Sequence, residues 1–304
     1  MNTVVVRSQA ELDSAVSAGA RGIVVDAPWG SWITITGSAR IAEVRGSSQI
    51  AKVYGSAQIA KVHGSARITE VYGMARITEV YDSARITEVY GMARITEVHG
   101  SAKIDRVHGS VQITEVHGSA WIARVYGAQI DCVLSSAKIA EVHGSAQITE
   151  VHDFAQIGGV YDSARITEVH GFAKIAEAHG SAQIDCVYGS AKIDRVHGSA
   201  QIGHALGRAK ITAVYGSARI ARVYGSAQIT EVYGMARIAG VLASARVTSA
   251  SGTAAVHLRG GALSYAGDHV AVFVHSADST WSGGVLVDLR DPDETEGNPV
   301  NTLE

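Results

Sequence analysis

The sequence has little of several residue types that shape a globular core or its connections. Among 304 residues there are two cysteines, three prolines, three phenylalanines and four tryptophans. Two cysteines exclude a disulfide framework, and so few large rings exclude an aromatic core. The scarcity of proline argues against a disordered chain, because disordered segments are rich in proline.

Long hydrophobic runs and an excess of one charge are also missing. No apolar stretch reaches roughly 18 residues, so we expect no membrane span. The opening MNTVVVRSQAELDSA lacks a basic region followed by an apolar run, so we expect no signal peptide. We therefore expect a location in the cytoplasm or in a phage particle. A formal net charge of −3 argues against nucleic acid as a partner.

What the sequence does contain is a nine-residue repeat with the consensus A-x-I-x-x-V-[YH]-G-S. The hexamer ARITEV stands at 66–71, 75–80, 84–89 and 93–98. Isoleucine returns every nine residues from Ile41 until Val247 takes its place, with one step shortened to eight before Ile130. A fixed short period indicates a repeat architecture.

The repeat favours β-strands over helices. Nine residues make about 2.5 helical turns, so successive helical repeats would face opposite sides, and each glycine would cost a helix about 1 kcal/mol. Alternation in A-R-I-T points Ala and Ile inward and the other two residues outward. Val follows Ile by three residues, which predicts a bend or a bulge between them, and hence two short strands in each repeat. Gly-Ser then predicts a corner.

Two repeats are predicted to close one coil. Nine extended residues span only about 30 Å, whereas facing sheets lie about 10 Å apart and need two corners. Met74 and Met92, like Phe154 and Phe172, share a repeat position eighteen residues apart. The predicted fold is an all-β parallel β-solenoid with about two nine-residue repeats per coil. A coil of 27 residues stays an alternative.

The period divides the chain. Residues 1–40 are predicted to form an N-terminal cap of strand, helix and strand, in which Ser8 and Glu11 match a capping box. Residues 41–247 are the nonapeptide-repeat solenoid. Residues 248–289 lose the period and are predicted to be a C-terminal β cap or a small domain. Residues 290–304 are acidic and polar, and we expect them to be disordered.

Tyrosine and histidine recur at the position after the inward valine and are the candidate site. They are expected to form two outward ladders, one per face; the proposed binding residues are Tyr72, Tyr81, Tyr90, His99, His108 and His117. One interpretation is a stacking ladder that covers corner glycines, and the other is a binding surface for protein or sugar. Pairs such as His99 and His117 make a poor metal site, because leucine also occupies this position. We expect no metal and no cofactor.

Other patterns suggest little chemistry. Arg, Lys or Gln precedes Ile and Glu often follows it by two, which we interpret as a solvated surface whose charges neutralise each other. Threonine follows Ile in four successive repeats, a pattern that could bind ice. The sequence has no nucleophile–base pair, phosphate loop or zinc spacing, so we do not expect an enzyme. His257, His269 and His275 are interpreted as surface residues.

The motif G-S-A-x-I-x-x-V-[YH] over 41–247 resembles tandem nonapeptide β-solenoid proteins encoded by bacteria and their phages. The segment AELDSAVSAGARGIVVDAPWGSWITI is similar to the lead-in of such chains. The resemblance implies an architecture but no catalytic residues.

Three functions follow as hypotheses. The first is a non-enzymatic structural scaffold or protein-interaction rod, with a protein partner and possible self-association through its ends or faces. The second is an inhibitor or decoy that docks on a nucleic-acid enzyme, as some pentapeptide-repeat solenoids do. The third is ice binding.

Overall fold

The structure is a computed structural model that describes residues 3–290. It is an all-parallel β-solenoid of 30 strands with one short helix near the N-terminus, which confirms the predicted fold class. The chain divides into two compact units. The first comprises residues 1–149 and 154–156, and the second comprises 150–153 and the residues from 157 onward.

The N-terminal segment joins a helix to the first strands of the sheet. Its elements are β1 (Val4–Val6), α1 (Gln9–Ser17), β2 (Ile23–Val25) and β3 (Trp32–Ile35). Half of the predicted capping box forms, since the Ser8 hydroxyl accepts from the Glu11 amide at 3.3 Å. The Glu11 carboxylate accepts from the Arg7 amide at 2.6 Å, one residue before the N-cap, and not from the Ser8 amide that a full capping box requires. β1 pairs with β2, and β2 pairs with the first strand of the repeat region, Arg40–Val44, so parallel pairing already begins before residue 41.

Each nine-residue repeat forms one strand. The strands are β4 (Arg40–Val44), β5 (Gln49–Val53), β6 (Gln58–Val62), β7 (Arg67–Val71), β8 (Arg76–Val80), β9 (Arg85–Val89), β10 (Arg94–Val98), β11 (Lys103–His108), β12 (Gln112–Val116), β13 (Trp121–Tyr126), β14 (Gln129–Val133), β15 (Lys138–His143), β16 (Gln147–Val151), β17 (Gln156–Val160), β18 (Arg165–Val169), β19 (Lys174–Ala178), β20 (Gln183–Val187), β21 (Lys192–Val196), β22 (Gln201–Ala205), β23 (Lys210–Val214), β24 (Arg219–Val223), β25 (Gln228–Val232), β26 (Arg237–Leu242) and β27 (Arg246–Ala250). Within each unit a strand pairs with the strand two further along the chain. We call the row of even-numbered strands the even face and the row of odd-numbered strands the odd face.

The pairing register sets the size of the coil. In the first unit Ile77 lies beside Ile95, and Ile95 beside Ile113, so eighteen residues separate equivalent positions. Two repeats therefore close one coil, as predicted, and the 27-residue alternative is wrong. Across the shortened repeat the step is seventeen residues, from Gln112 to Gln129, and the register resumes.

The inward positions form continuous buried columns. In the ARITEV repeat of β9, Ala84, Ile86 and Val89 are all 0% exposed. Each buried Ile or Val side chain contributes roughly 1.5–3 kcal/mol, and the same three positions are buried in nearly every repeat. The core is aliphatic because every inward column repeats the same small or branched residue.

The strand itself differs from the prediction. Two short strands with a bend or a bulge between Ile and Val were expected; the bulge fits, but Arg76–Val80 is one strand of five residues and not two. This strand, β8, pairs with β10 at the Arg, Ile, Glu and Val positions, but the threonines of the two strands are not paired. Thr78 and Glu79 both lie on the outer surface between the buried Ile and Val. An irregularity of one residue inside the strand thus accounts for the three-residue spacing.

Two separate constraints favour glycine at the corners. Gly55 has φ +75°, which side chains with a Cβ rarely adopt. A Cβ at Gly55 would also lie 2.8 Å from the Gly37 carbonyl oxygen of the preceding coil. Gly144 also has φ +65°, but a Cβ added there would lie 3.9 Å from the nearest atom, the Gly127 nitrogen. Asp82 takes the same corner conformation at φ 58°.

Parallel pairing continues beyond the last repeat. β28 (Ala255–Arg259), β29 (Ala262–Val274) and β30 (Thr280–Asp288) follow β27. The long β29 pairs with both β27 and β28, and β30 pairs along β29. The boundaries predicted at 40 and 247 remain predictions. The acidic tail lies outside the described residues apart from its first position. Among residues 3–290 no helix has the length and apolar character to cross a membrane.

We predict that Gly55→Ala destabilises the chain more than Gly144→Ala. Both substitutions place a Cβ at positive φ, which costs about 1–2 kcal/mol. Only Gly55→Ala adds a clash with backbone of the preceding coil, expected to cost roughly 1–3 kcal/mol more. The measurement is the free energy of unfolding in urea. Equal losses in the two variants would contradict close stacking of the corners.

Candidate functional site

The predicted site residues fall into two ladders, as expected. Tyr81, His99 and His117 lie on the even face, and the odd face carries Tyr72, Tyr90 and His108. All six side chains are half-buried. Each stands directly after a buried valine, and therefore at the end of its strand beside the corner.

Most of the rings stack face to face from coil to coil, but the odd-face ladder is interrupted, since His108 stacks on Tyr126 and not on Tyr90. Tyr72 lies 5.1 Å from Tyr90 with 3° between the ring planes. On the even face Tyr81 and His99 are 5.1 Å apart, and His99 and His117 are 5.0 Å apart. These distances match the strand spacing of about 4.8 Å. Neighbours cover the faces of the inner rings, so the ladders present ring edges to solvent.

The second unit contains ladders of the same kind. His179 stacks on His197 at 4.3 Å, and His197 stacks on Tyr215 at 4.7 Å. Leu206 and Leu242 occupy the ladder position on the even face of this unit. The ladder position therefore accepts an aliphatic side chain as well as a ring.

Glutamate side chains of the preceding coil contact the polar ends of several rings. The Tyr90 hydroxyl donates to Glu70 Oε2 at 3.0 Å, and the Tyr188 hydroxyl donates to Glu168 Oε2 at 2.6 Å. His197 Nε2 makes the equivalent contact with Glu177. The partners are twenty residues apart in each case. Sequence reasoning missed this contact because it compared Glu only with the Arg of its own repeat; the signal is a Glu twenty residues before a Tyr or His.

These contacts change the acidity of the tyrosines. Burial, followed by the hydrogen bond to Glu70, raises the pKa of Tyr90 to about 12. The hydrogen bond to Glu168, followed by burial, raises the pKa of Tyr188 to about 12. Both phenols therefore remain neutral donors at physiological pH, and neither is an activated acid or nucleophile.

The structure does not show the expected neutralisation between the basic column before Ile and the acidic column two residues after it. Ion pairs run along the column two residues after Ile, for example between Lys52 and Glu70 at 3.4 Å. Most Arg and Lys residues before Ile instead have another basic residue as their partner in the strand register, as with Arg76 beside Arg94. Lys174, Lys192 and Lys210 form a similar row. Register places like residues together, so the column before Ile keeps its charge.

The C-terminal histidines are not a simple surface set. His257 Nδ1 and His275 Nε2 are 3.0 Å apart, and His257 stacks on Phe273 at 4.2 Å. Burial lowers the pKa of both histidines. His269 is exposed. Within residues 3–290 no three potential metal ligands converge.

We predict that Glu70→Gln lowers the pKa of Tyr90 from about 12 towards the ordinary value of about 10. A raised tyrosine pKa stabilises the folded chain below about pH 10, and that stabilisation is lost between about pH 10 and 12. Nuclear magnetic resonance titration of the tyrosine rings measures this directly. Glu168→Gln is the matched control and should move Tyr188 but not Tyr90. An unchanged Tyr90 in Glu70→Gln would contradict the contact.

Comparisons with known proteins give no relative for this chain. No protein-family model, curated protein sequence or solved structure matches it. The architecture therefore rests on the repeat and its pairing register, and function has to be inferred from the surface.

Proposed function

We propose that the chain is a non-enzymatic scaffold that holds a protein partner against one of its corners. The observation that carries this proposal is the display of exposed methionines beside the ring ladder of the odd face. Met74 is 56% exposed and Met92 is 55% exposed. They follow Tyr72 and Tyr90 by two residues and occupy corners of adjacent coils.

The ladder and the methionines have different roles in this proposal. The rings stack on one another, and glutamate occupies the Tyr90 hydroxyl, so the ladder fixes the corner. The methionines extend beyond it and contribute the apolar contact. Methionine is flexible and polarisable, which suits contact with a protein surface, and Tyr and Met are both enriched at interfaces.

The surface supports the scaffold better than the two alternatives. A decoy that mimics nucleic acid needs dense acidic columns, whereas here Glu79 and Glu97 run beside Arg76 and Arg94. Ice binding needs long flat rows of threonine. The threonine row of the first unit's even face comprises Thr78, Thr96 and Thr114, beside arginine. An origin in bacteria or phages, and a location in the cytoplasm or a phage particle, belong to the same proposal.

We predict that replacing both methionines with serine removes the partner. Serine stands at the same corner in the neighbouring coils, at Ser56 and Ser110, so the fold should tolerate Met74→Ser with Met92→Ser. The test is quantitative affinity purification of the tagged full-length chain from its host. We expect at least about tenfold less partner with the double variant, since buried interface anchors each contribute more than about 1 kcal/mol.

Met235→Ser is the matched control, because Met235 is 62% exposed at a corner in the second unit. It should keep the partner. If no protein is enriched, or if the double variant retains its partner fully, the proposal fails. Thermal hysteresis of the purified chain would favour ice binding instead.

A further inference from the structure

A groove runs across the even face of the first unit. It has a volume of about 650 Å³ and crosses β4, β6, β8, β10 and β12. Buried isoleucines such as Ile77 and Ile95 form its floor. One wall is the column of residues before Ile, which comprises Arg40, Gln58, Arg76, Arg94 and Gln112. The other wall is the column of residues directly after Ile, which comprises Ala42, Ala60, Thr78, Thr96 and Thr114. Arg21 also lines the groove.

The groove is positively charged. Four arginines line it and no carboxylate does. In the described part of the chain, Arg40, Arg76 and Arg94 have no acidic group within ion-pair distance. The nearest acidic column has contacts elsewhere, since Glu79 pairs with Lys61 at 3.9 Å and the Glu97 carboxylate lies 3.9 Å from His117 Nε2.

Two of the arginines are held side by side. Arg76 and Arg94 are direct partners in the register of β8 and β10, at a strand spacing of about 4.8 Å. Like charges placed opposite each other on neighbouring strands are unfavourable. The core fixes this register, so the chain cannot separate them. An anion bound between the two guanidinium groups would relieve the repulsion.

We propose that this groove binds a linear anionic polysaccharide. Five strands at about 4.8 Å spacing give a groove roughly 20 Å long, which suits an extended chain. Arginine binds carboxylate and sulfate groups through paired hydrogen bonds. The amides of Gln58 and Gln112 and the hydroxyls of Thr78 and Thr96 offer partners for sugar hydroxyls.

Single-stranded nucleic acid fits the groove less well. Proteins that bind it without sequence preference stack its bases on aromatic side chains. No aromatic side chain lines this groove, so bases would find charge but no stacking platform. The inference does not rest on the proposed protein partner: it uses Arg76 and Arg94, whereas the partner contact uses Met74 and Met92, which stand two residues before them at the corners.

The second unit repeats the construction on its own even face. A groove of about 440 Å³ is lined by Gln183, Gln201, Arg219 and Arg237 before the isoleucines, and by Asp185, Gly203, Ala221 and Ala239 after them. Arg219 and Arg237 are again direct partners in register. The same two columns therefore form a groove with paired arginines in each unit, but the second groove also contains the Asp185 carboxylate, so the proposal is made for the first.

The test compares two double variants of the full chain that remove equal charge. Arg76→Gln with Arg94→Gln changes the groove, and glutamine already stands in this column at Gln58 and Gln112. Arg85→Gln with Lys103→Gln is the matched control, since these two residues are partners on the odd face. Binding of alginate, heparin and a single-stranded oligothymidylate is measured by titration calorimetry at several salt concentrations.

We expect the groove variant to lose affinity for alginate or heparin by at least about tenfold, because charge-assisted hydrogen bonds are lost. The control variant should stay within about twofold of the unaltered chain. Alginate binding alone would assign carboxylate recognition, and heparin binding alone would assign sulfate recognition. Three results would overturn the proposal: binding of neither polysaccharide, equal losses in both variants, or tighter binding of the oligothymidylate that depends on Arg76 and Arg94.

Discussion

The register between adjacent coils is the constraint on which the rest of the structure depends. The Arg94 amide donates to the Ala75 carbonyl at 2.9 Å, and the same kind of bond recurs from coil to coil. These bonds place Ile95 on Ile77 and seal the aliphatic columns from water. Because an extra residue within a strand would turn every later side chain to the wrong face, the repeat tolerates length changes only at corners. The one shortened repeat loses its residue at such a corner, beside Gly127, and Gln129 still reaches its partner Gln112.

The coil register also determines which surface side chains are neighbours, and some of these contacts are favourable while others are not. Rings stack on rings, which is favourable, but arginine also stacks on arginine and glutamate on glutamate, which is not. The first effect makes the ladders structural, as their covered faces and glutamate contacts indicate. The second leaves charge that the chain itself does not neutralise. Binding functions are therefore sought where the repeat departs from its average, at the exposed methionines and along the arginine rows.

Much of the fold could be predicted from the sequence because a short period leaves few solutions. The short reach of nine extended residues, with the pairs Met74/Met92 and Phe154/Phe172, suggested the eighteen-residue coil, and the capping-box pattern located the helix. The single strand in place of two was missed because the pattern does not distinguish a bend from an irregularity inside a strand. The pairing of Glu70 with Tyr90 was missed because it needs the coil register first. Beyond residue 247 the period disappears, and only the structure brings His257, Phe273 and His275 together.

The most direct test of the coil register is disulfide formation between engineered cysteine pairs that share Thr96. The partners are Thr87, Thr78 and Thr69, which lie nine, eighteen and 27 residues away, in a chain whose native Cys132 and Cys186 are replaced by serine. Disulfides need Cα atoms within about 7 Å, and adjacent parallel strands are about 4.8 Å apart. The account predicts that only the cysteine pair that replaces Thr78 and Thr96 forms a disulfide rapidly, as detected by mass spectrometry without reduction. Oxidation of the pair with Thr69 or Thr87, and not of the pair with Thr78, would contradict it.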